Sequence, residues 1–376
     1  MAVLSPRLSE RLAGVAYQLG WKVICRFPES WARWVFMAVA DIAWRRQGPK
    51  VQVLEANLRR VLIYQASGPV VDGPVVDGPV VDGPVVDGHV VDGKELRALS
   101  RAALRSYARY WLEVFRLPVI PVERVVSGMH FRGPGKETML AHLKAGRGVV
   151  IALPHMGNFE QAGVWVIASG AGTFTTVAER LKPESVYESF VRFRQTLGFE
   201  VLPLTGGAGP FATLSARLRA GHLVCLVSDR DLKETGIEVE LLGEKARIAA
   251  TAALAVHTGA ALLPTATWFE EDGWGACIYD EVPVPASGTR AEKVAAMSQQ
   301  LANVFSAAIA EHPQEWHMLQ RVFLADLDPA RLPPPSVPSP SPPSRGARGA
   351  PRGYGGRVAP RNGGVWGGRP PEEMQP

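Results

Sequence analysis

The segment VVIALPHMGNFE, residues 149–160, decides the fold of this 376-residue chain. Its first five residues, Val149–Leu153, are all apolar, as in a strand buried on both faces of a sheet. Gly157 and Asn158 then allow a tight turn at the start of an apolar helical pattern. A buried strand that leads through a short turn into a helix is the repeating unit of a parallel sheet.

The same alternation continues along the chain. We predict strands at 173–178, 199–204, 223–228, 237–242, 261–269 and 276–282, and helices at 136–145, 158–169, 184–197, 211–220, 249–258 and 290–310. These elements predict an α/β core at residues 128–330, with a mixed, largely parallel central sheet flanked by helices. Sites in such sheets form where strands end, so the residues after Leu153, Ala178, Leu204 and Ser228 are candidates.

Composition and charge argue against several classes of protein. The net charge is +5, but residues 333–376 hold six Arg and two Glu, so the rest of the chain carries only +1. A nucleic-acid-binding domain needs a basic face, which this balance does not favour. The three cysteines, Cys25, Cys225 and Cys277, are far apart and form no CxxC, so they predict neither a disulfide framework nor a zinc site. We expect an intracellular protein with no metal or cofactor.

Residues 1–127 are predicted to be a helical, membrane-associating region. Charged residues interrupt each apolar run before the roughly 18–20 residues of a spanning helix, so we expect no transmembrane helix, and we expect no secretory signal. An apolar stripe nevertheless recurs at helical spacing, formed by Trp31, Trp34, Val35, Ala38 and Ile42. Such a helix could lie in a membrane interface or pack on the protein's own core, and the sequence leaves both open.

A second helix of this region, predicted at 94–117, carries an arginine at every fourth position. The stripe consists of Arg97, Arg101, Arg105 and Arg109. It suits anionic lipid head groups or a cofactor's phosphates, and a merely solvated helix face is the alternative.

Two segments are of low complexity. The pentapeptide GPVVD occurs four times from residue 68 and then as GHVVD at 88–92. A proline in every fifth position forbids a continuous helix, so we predict a flexible or extended insertion at 68–93. Residues 331–376 are rich in Pro, Gly and Arg and are predicted to be a disordered tail.

His155 directly follows the first predicted strand, and Glu160 lies five residues later in the next helix. A neutral imidazole can take a proton from an attacking hydroxyl when a carboxylate holds its other nitrogen. We therefore predict His155 as a general base and Glu160 as the acid that orients it. With eight His and 36 acidic residues, one such spacing is expected by chance, so a histidine with a structural role is the alternative.

Other catalytic motifs are absent from the sequence. It contains no G-x-S-x-G nucleophile elbow, no G-x-x-x-x-G-K-[ST] phosphate loop and no H-E-x-x-H metal motif. The glycine-rich run TGGAGP at 205–210 could approach a phosphate or be a plain loop. A covalent serine mechanism has no visible nucleophile.

The run LPHMGNFEQAG, residues 153–163, resembles the H-x4-D/E motif of the lysophospholipid acyltransferase superfamily, in its lipid A lauroyl acyltransferase-like branch. Five further segments look like the actinobacterial phosphatidylinositol mannoside acyltransferases: AERLKPE (178–184), FRQTLG (193–198), CLVSDRDL (225–232), GIEV (236–239) and WHMLQR (316–321). The likeness covers residues 1–330 apart from the insertion. It implies a glycerol-3-phosphate acyltransferase-like fold.

The resemblance also implies a reaction. A fatty acyl group, expected to be palmitoyl, would pass from acyl-CoA to a mannose hydroxyl of a phosphatidylinositol mannoside. His155 and Glu160 match the motif as base and orienting acid, and Glu179, Arg194 and Asp229 fall where the family places further active-site groups. The protein would work peripherally at an anionic membrane surface, on the cytoplasmic face of the inner membrane.

The sequence allows other roles for Glu179 and Arg194 and other functions for the chain. Glu179 could pair structurally with Arg180, and Arg194 could be a surface arginine, contact a phosphate or orient the acid cluster. The chain could also acylate another lysolipid or glycolipid, hydrolyse a thioester, or be a non-catalytic membrane-binding protein. The enzymatic hypotheses require that the His155 ring reach a cavity and that Glu160 have a route to contact that ring.

Overall fold

The computed structural model describes residues 20–67, 85–86, 89–180, 184–204, 209–231 and 236–327. The predicted tail at 331–376 and most of the predicted insertion at 68–93 lie outside these residues. The last part of the insertion contains a short antiparallel hairpin, in which β1 (Val85–Val86) pairs with β2 (His89–Val90).

The described helices fall into two groups along the chain. Three long helices precede the central sheet: α1 (Glu29–Arg46), α2 (Pro49–Ser67) and α3 (Gly93–Arg116). The second group alternates with or follows the strands: α4 (Val122–Gly128), α5 (Gly135–Lys144), α6 (Phe159–Ala168), α7 (Glu184–Thr196), α8 (Phe211–Arg219), α9 (Ala252–Thr258) and α10 (Arg290–Glu311). None of the helices in the described part of the chain combines the length and apolar character that crossing a bilayer requires.

A seven-stranded sheet forms the centre of the structure. Its strands are β3 (Met129–Arg132), β4 (Val149–Leu153), β5 (Phe174–Ala178), β6 (Glu200–Pro203), β7 (Leu223–Val227), β10 (Ala261–Glu270) and β11 (Gly273–Ile278). Their order across the sheet is β3-β11-β10-β4-β7-β5-β6, and every neighbouring pair is parallel except β10 with β11. The predicted α/β class with a mixed, largely parallel sheet is confirmed.

A separate hairpin joins β8 (Ile237–Leu241) to β9 (Glu244–Ile248). Strand β9 was not among the predicted strands, and the helix that follows it, predicted at 249–258, begins at Ala252. The short run EKARI carries three charged side chains and therefore has little of the apolar character by which buried strands are recognised.

The apolar run of β4 is buried at every residue because this strand lies inside the sheet. Val150 and Ala152 belong to the core cluster on one face, whereas Val149, Ile151 and Leu153 belong to the cluster on the other. Alternate side chains of a strand point to opposite faces, so a strand covered on both sides must be apolar throughout.

Helix α2 is part of the first of these core clusters. Leu54 and Leu58 are fully buried in the same cluster as Val150 of β4 and Phe305 of α10. Full burial of a leucine side chain stabilises a fold by about 1.5–3 kcal/mol. The long helices that precede the sheet therefore contribute to its hydrophobic core.

Helix α1 instead exposes an apolar face. Trp31 and Trp34 are 67% and 72% exposed, and Val35, Val39 and Ile42 are also exposed. The sequence left open whether this stripe lies in a membrane interface or packs on the protein's own core. Packing on the core is wrong for Trp31, Trp34, Val35 and Ile42, which are exposed, whereas Ala38 is half-buried.

Each arginine of the α3 stripe contacts a carboxylate. Arg97 pairs with Glu55 at 2.7 Å, Arg109 pairs with Glu113 at 2.8 Å, and both Arg101 and Arg105 contact Asp41 at 2.7 Å. Hydrogen bonds from Arg101 and Arg105 hold the pKa of Asp41 well below its usual value. The stripe thus connects α3 to α1 and α2, a role that neither sequence-based explanation included.

Candidate active site

The parallel pairing of β4 with β7 brings His155 and Asp229 together. Leu153 is in register with Val227, and each functional side chain lies two residues further along. His155 Nδ1 is 2.6 Å from Asp229 Oδ1, and the backbone N–H of His155 donates to Asp229 Oδ2 at 2.9 Å. Because an ionised carboxylate can only accept, Nδ1 carries the proton and Nε2 is left as a base.

The two side chains differ in their exposure to solvent. The His155 side chain is 25% exposed, whereas the Asp229 side chain is fully buried. Nε2 of His155 has no hydrogen-bond partner among the described residues. The imidazole can therefore meet a substrate with one nitrogen while the buried carboxylate holds the other.

Asp229 is held by a third donor, the indole of Trp316, whose Nε1 lies 2.9 Å from Oδ2. Burial by itself would raise the pKa of Asp229, but the electrostatic interaction with the His155 ring and the hydrogen bonds from His155 and Trp316 lower it. The carboxylate is thus kept in the ionised form that can stabilise an imidazolium.

Glu160 does not contact the His155 ring in this arrangement. Its carboxylate pairs with Arg194 of α7: Nε of Arg194 lies 3.2 Å from Oε2, and Nη2 contacts Oε1. Both side chains are largely buried, at 3% and 12% exposure. Desolvation would lower the pKa of Arg194, but Glu160 raises it above its usual value. The expectation that Glu160 orients His155, on which the enzymatic hypotheses depended, is therefore corrected: Asp229 supplies the carboxylate that contacts the ring.

The turn between β4 and α6 depends on Gly157 and Asn158. Gly157 has φ +51°, and a Cβ atom there would lie only 2.5 Å from the carbonyl oxygen of Thr267, so glycine is required. Asn158 caps α6 by accepting from the N–H of Gln161, and its side-chain amide donates to Glu113 at 2.7 Å. These contacts fix the loop that carries His155.

Glu179 follows β5 at the same edge of the sheet. It is half exposed, and Arg230 contacts it at 3.2 Å. The alternative partner considered for Glu179, Arg180, pairs instead with Glu184 at 3.1 Å. The structure thus brings His155 and Asp229 into one pair, Glu160 and Arg194 into a second, and Glu179 and Arg230 into a third.

An apolar cavity of about 100 Å³ lies between α6 and one face of the sheet. Leu153 and Val227 line it, and His155 and Asp229 stand two residues beyond them. Phe159, whose ring centroid lies 6.3 Å from that of His155, also lines it. The Glu160–Arg194 pair is the charged part of its wall. The cavity and the His155 ring are therefore adjacent.

No set of three or more His, Cys, Asp or Glu side chains converges as metal ligands in the described ranges. Trp316 and Arg230 were quoted in the sequence motifs without a role. The indole contact could not be foreseen because Trp316 follows Asp229 by 87 residues, and only the fold brings them together.

All the residues of the site lie in the part of the chain that one protein-family model matches. The sequence model of the family described as bacterial lipid A biosynthesis acyltransferase matches residues 92–325, which is more than half of the chain. The chain belongs to this acyltransferase family. The resemblance drawn from the motifs is thereby confirmed.

Two curated relatives are similar to this chain over most of its length. A phosphatidylinositol mannoside acyltransferase from Mycolicibacterium smegmatis is 43% identical over 326 residues, which cover 86% of this chain and 95% of the relative. A protein of the same name from Mycobacterium tuberculosis is 44% identical over 319 residues, which cover 84% of this chain and 90% of the relative.

Proposed function

We propose that this protein transfers a fatty acyl group, which we expect to be palmitoyl, from acyl-CoA to a mannose hydroxyl of a phosphatidylinositol mannoside. The names of its relatives support the acceptor. The observation that carries the chemistry is the hydrogen bond between His155 Nδ1 and Asp229 Oδ1 beside an apolar cavity. This pair supplies a general base with a fixed tautomer.

In the proposed mechanism, Nε2 of His155 takes the proton of the mannose hydroxyl. The sugar oxygen attacks the thioester carbonyl, and the Asp229 carboxylate stabilises the imidazolium that forms. Backbone N–H groups or a nearby cation stabilise the tetrahedral oxyanion. The intermediate then collapses with cleavage of the C–S bond, and the imidazolium returns its proton to the departing CoA thiolate.

The apolar cavity would hold the acyl chain. Its walls are mostly aliphatic and aromatic side chains, including Phe131, Trp165, Phe174 and Phe199. Burial of a hydrocarbon chain is favourable by about 0.8 kcal/mol for each CH₂ group. The Glu160–Arg194 pair would support this wall, which gives both predicted residues a positioning role.

Glu179 and Arg230 are our candidates for sugar binding. Both belong to loops at the ends of parallel strands, as His155 does, and the Glu179 side chain is 47% exposed. A half-exposed carboxylate held by an arginine can accept hydrogen bonds from sugar hydroxyls.

The exposed face of α1 would dock the enzyme on the membrane. Trp31 and Trp34 form its most exposed part, and Arg45, Arg46 and Lys50 lie exposed at and just beyond the end of the helix. Tryptophan suits the bilayer interface, and cations are attracted to anionic lipid. Docking through this surface would agree with a peripheral position at the cytoplasmic face of the inner membrane. That membrane would supply both lipid substrates.

A radiolabelled acyl-CoA assay with mannosylated and unmannosylated phosphoinositides tests the proposal. We expect labelled product only with a mannosylated acceptor, and none with His155→Ala. Release of free CoA without an acceptor would favour thioester hydrolysis, and label on another lysolipid or glycolipid would change the acceptor. Vesicle binding without acylation from any donor would overturn the enzymatic proposal.

A further inference from the structure

We propose that Trp316 is a positioning residue that holds the Asp229 carboxylate in place for proton transfer by His155. The proposal rests on the proposed acyl transfer and adds to it a residue that never touches the substrate. The indole Nε1 donates to Asp229 Oδ2 at 2.9 Å, and neither residue is exposed at all.

The geometry of the carboxylate explains why a third donor matters. Oδ1 faces the ring of His155, while Oδ2 accepts from the backbone N–H of His155 and from the indole of Trp316. The first two donors belong to the same residue and would move together with its loop. The indole is the donor that ties Asp229 to a different part of the fold.

The backbone around Trp316 is itself attached to the His155 loop. The carbonyl of Glu315 accepts from the N–H of Gly157 at 3.1 Å, and the N–H of His317 donates to the carbonyl of His155 at 2.8 Å. Trp316 forms an antiparallel bridge with Met156 between these two bonds. Residues 315–317 thus run beside the loop like an added strand, and this restricts movement of the indole.

A purely structural role for Trp316 is the competing explanation, because a fully buried tryptophan contributes packing in any position. The two explanations differ in one property. If Trp316 contributes packing alone, its substitution should lower kcat by the same factor whether residue 229 is Asp or Asn. If Trp316 positions the carboxylate, its substitution should lower kcat only while Asp229 is present.

We would therefore compare four proteins: the wild type, Trp316→Phe, Asp229→Asn and the double variant. Phenylalanine keeps an aromatic ring but has no N–H. Trp268→Phe is the matched control, because Trp268 is also buried and donates to a carboxylate, that of Glu270, at 3.2 Å outside the site. If Trp316→Phe does not fold, benzothienylalanine at position 316 keeps the shape of the indole and removes only the donor.

We expect Trp316→Phe to lower kcat about tenfold, with KM for acyl-CoA changed less than about twofold. The acid limb of the pH–rate profile should move to higher pH, because a carboxylate with one donor fewer stabilises the imidazolium more strongly. In the Asp229→Asn background the same change should cost less than about twofold. Trp268→Phe should leave the profile unmoved.

Equal losses in both backgrounds, with an unmoved acid limb, would overturn the proposal and leave Trp316 with packing alone. A readout without substrate separates this outcome from failure of the proposed function. The downfield proton NMR resonance of the His155 Nδ1–H should be changed by Trp316→Phe and lost in Asp229→Asn. If the wild type transfers no acyl group, this pattern still supports positioning, and an unchanged resonance in Trp316→Phe refutes it.

Discussion

Glu160 and Arg194 form a buried ion pair in the wall of the apolar cavity, with Nε of Arg194 3.2 Å from Oε2 of Glu160. The acid of the H-x4-E motif therefore contacts an arginine of α7, and the ring of His155 is held by Asp229. Removing one partner of a buried pair leaves an uncompensated charge, which costs more than the intact pair contributes. We therefore expect substitution of Glu160 to lower the stability of the fold and substitution of Asp229 to lower the rate of catalysis.

Glu160→Gln should act through stability. We expect the free energy of unfolding to fall by about 3–5 kcal/mol because Arg194 loses its counter-charge. Urea unfolding measures this loss, and Glu179→Gln is the control, since its half-exposed pair should cost less than about 1 kcal/mol. A shifted acid limb of the pH–rate profile with unchanged stability would return the orienting role to Glu160.

Asp229→Asn should act through catalysis. An asparagine amide no longer favours the tautomer with a proton on Nδ1, so we expect kcat to fall by about three to four orders of magnitude. Acyl transfer by protein with an unchanged circular dichroism spectrum measures the effect. The exposed Asp280→Asn serves as the control for loss of a carboxylate. An Asp229→Asn enzyme within about tenfold of the wild type would contradict the assignment.

Gly163→Ala should shorten the acyl chain that the enzyme prefers. A Cβ at this cavity-lining position would lie 2.8 Å from Phe199 and 3.0 Å from Phe174, so these rings must move or the space must narrow. Competition between acyl-CoA donors of different length measures the preference. Gly93→Ala is the matched control, because its Cβ would meet no atom within 4 Å. An unchanged chain-length profile would place the acyl chain elsewhere.

The double variant Trp31→Ala/Trp34→Ala should bind membranes less well. These side chains are 67% and 72% exposed, so their removal should cost little stability while taking most of the aromatic area from the docking face. We expect partition onto anionic vesicles to fall at least about tenfold in sedimentation. Val284→Ala, also exposed, should bind like the wild type. Equal binding by all three proteins would exclude this face from docking.

The buried carboxyl of Glu315 should make stability fall as the pH rises. Desolvation raises its pKa from 4.5 to about 7, so the folded protein keeps a proton that the unfolded chain has already lost in this range. We expect the free energy of unfolding in urea to decrease between pH 5 and 7 less in Glu315→Gln than in the wild type. Glu271→Gln, which is exposed, should retain the wild-type slope, and parallel slopes for all three would refute the shift.

The sheet was largely predictable because its strands are apolar and its helices alternate with them. The runs at 149–153 and 223–228 were recognised close to the bounds of β4 and β7. Strand β9 was missed because the run Glu244–Ile248 carries charged side chains, and a two-stranded hairpin places fewer constraints on composition than a buried strand.

The ion pairs of the N-terminal helices were not predictable. Four arginines at a spacing of four residues predict a cationic face, but Asp41 and Glu55, which contact three of them, belong to other helices. Helical spacing gives the face on which a side chain lies, and the packing of helices determines what it meets.

The sequence by itself determined the α/β class and the strand end that carries His155, and it named Glu160, Glu179, Arg194 and Asp229 as candidates but gave no role to Arg230 or Trp316. Only the tertiary structure decided which acid holds the imidazole, with Asp229 in contact and Glu160 paired to Arg194. The physical reason is that the ends of adjacent parallel strands meet across the sheet, so Asp229 is nearer to His155 than an acid five residues along the same chain. The contact of Trp316 with Asp229 depends in the same way on the fold alone.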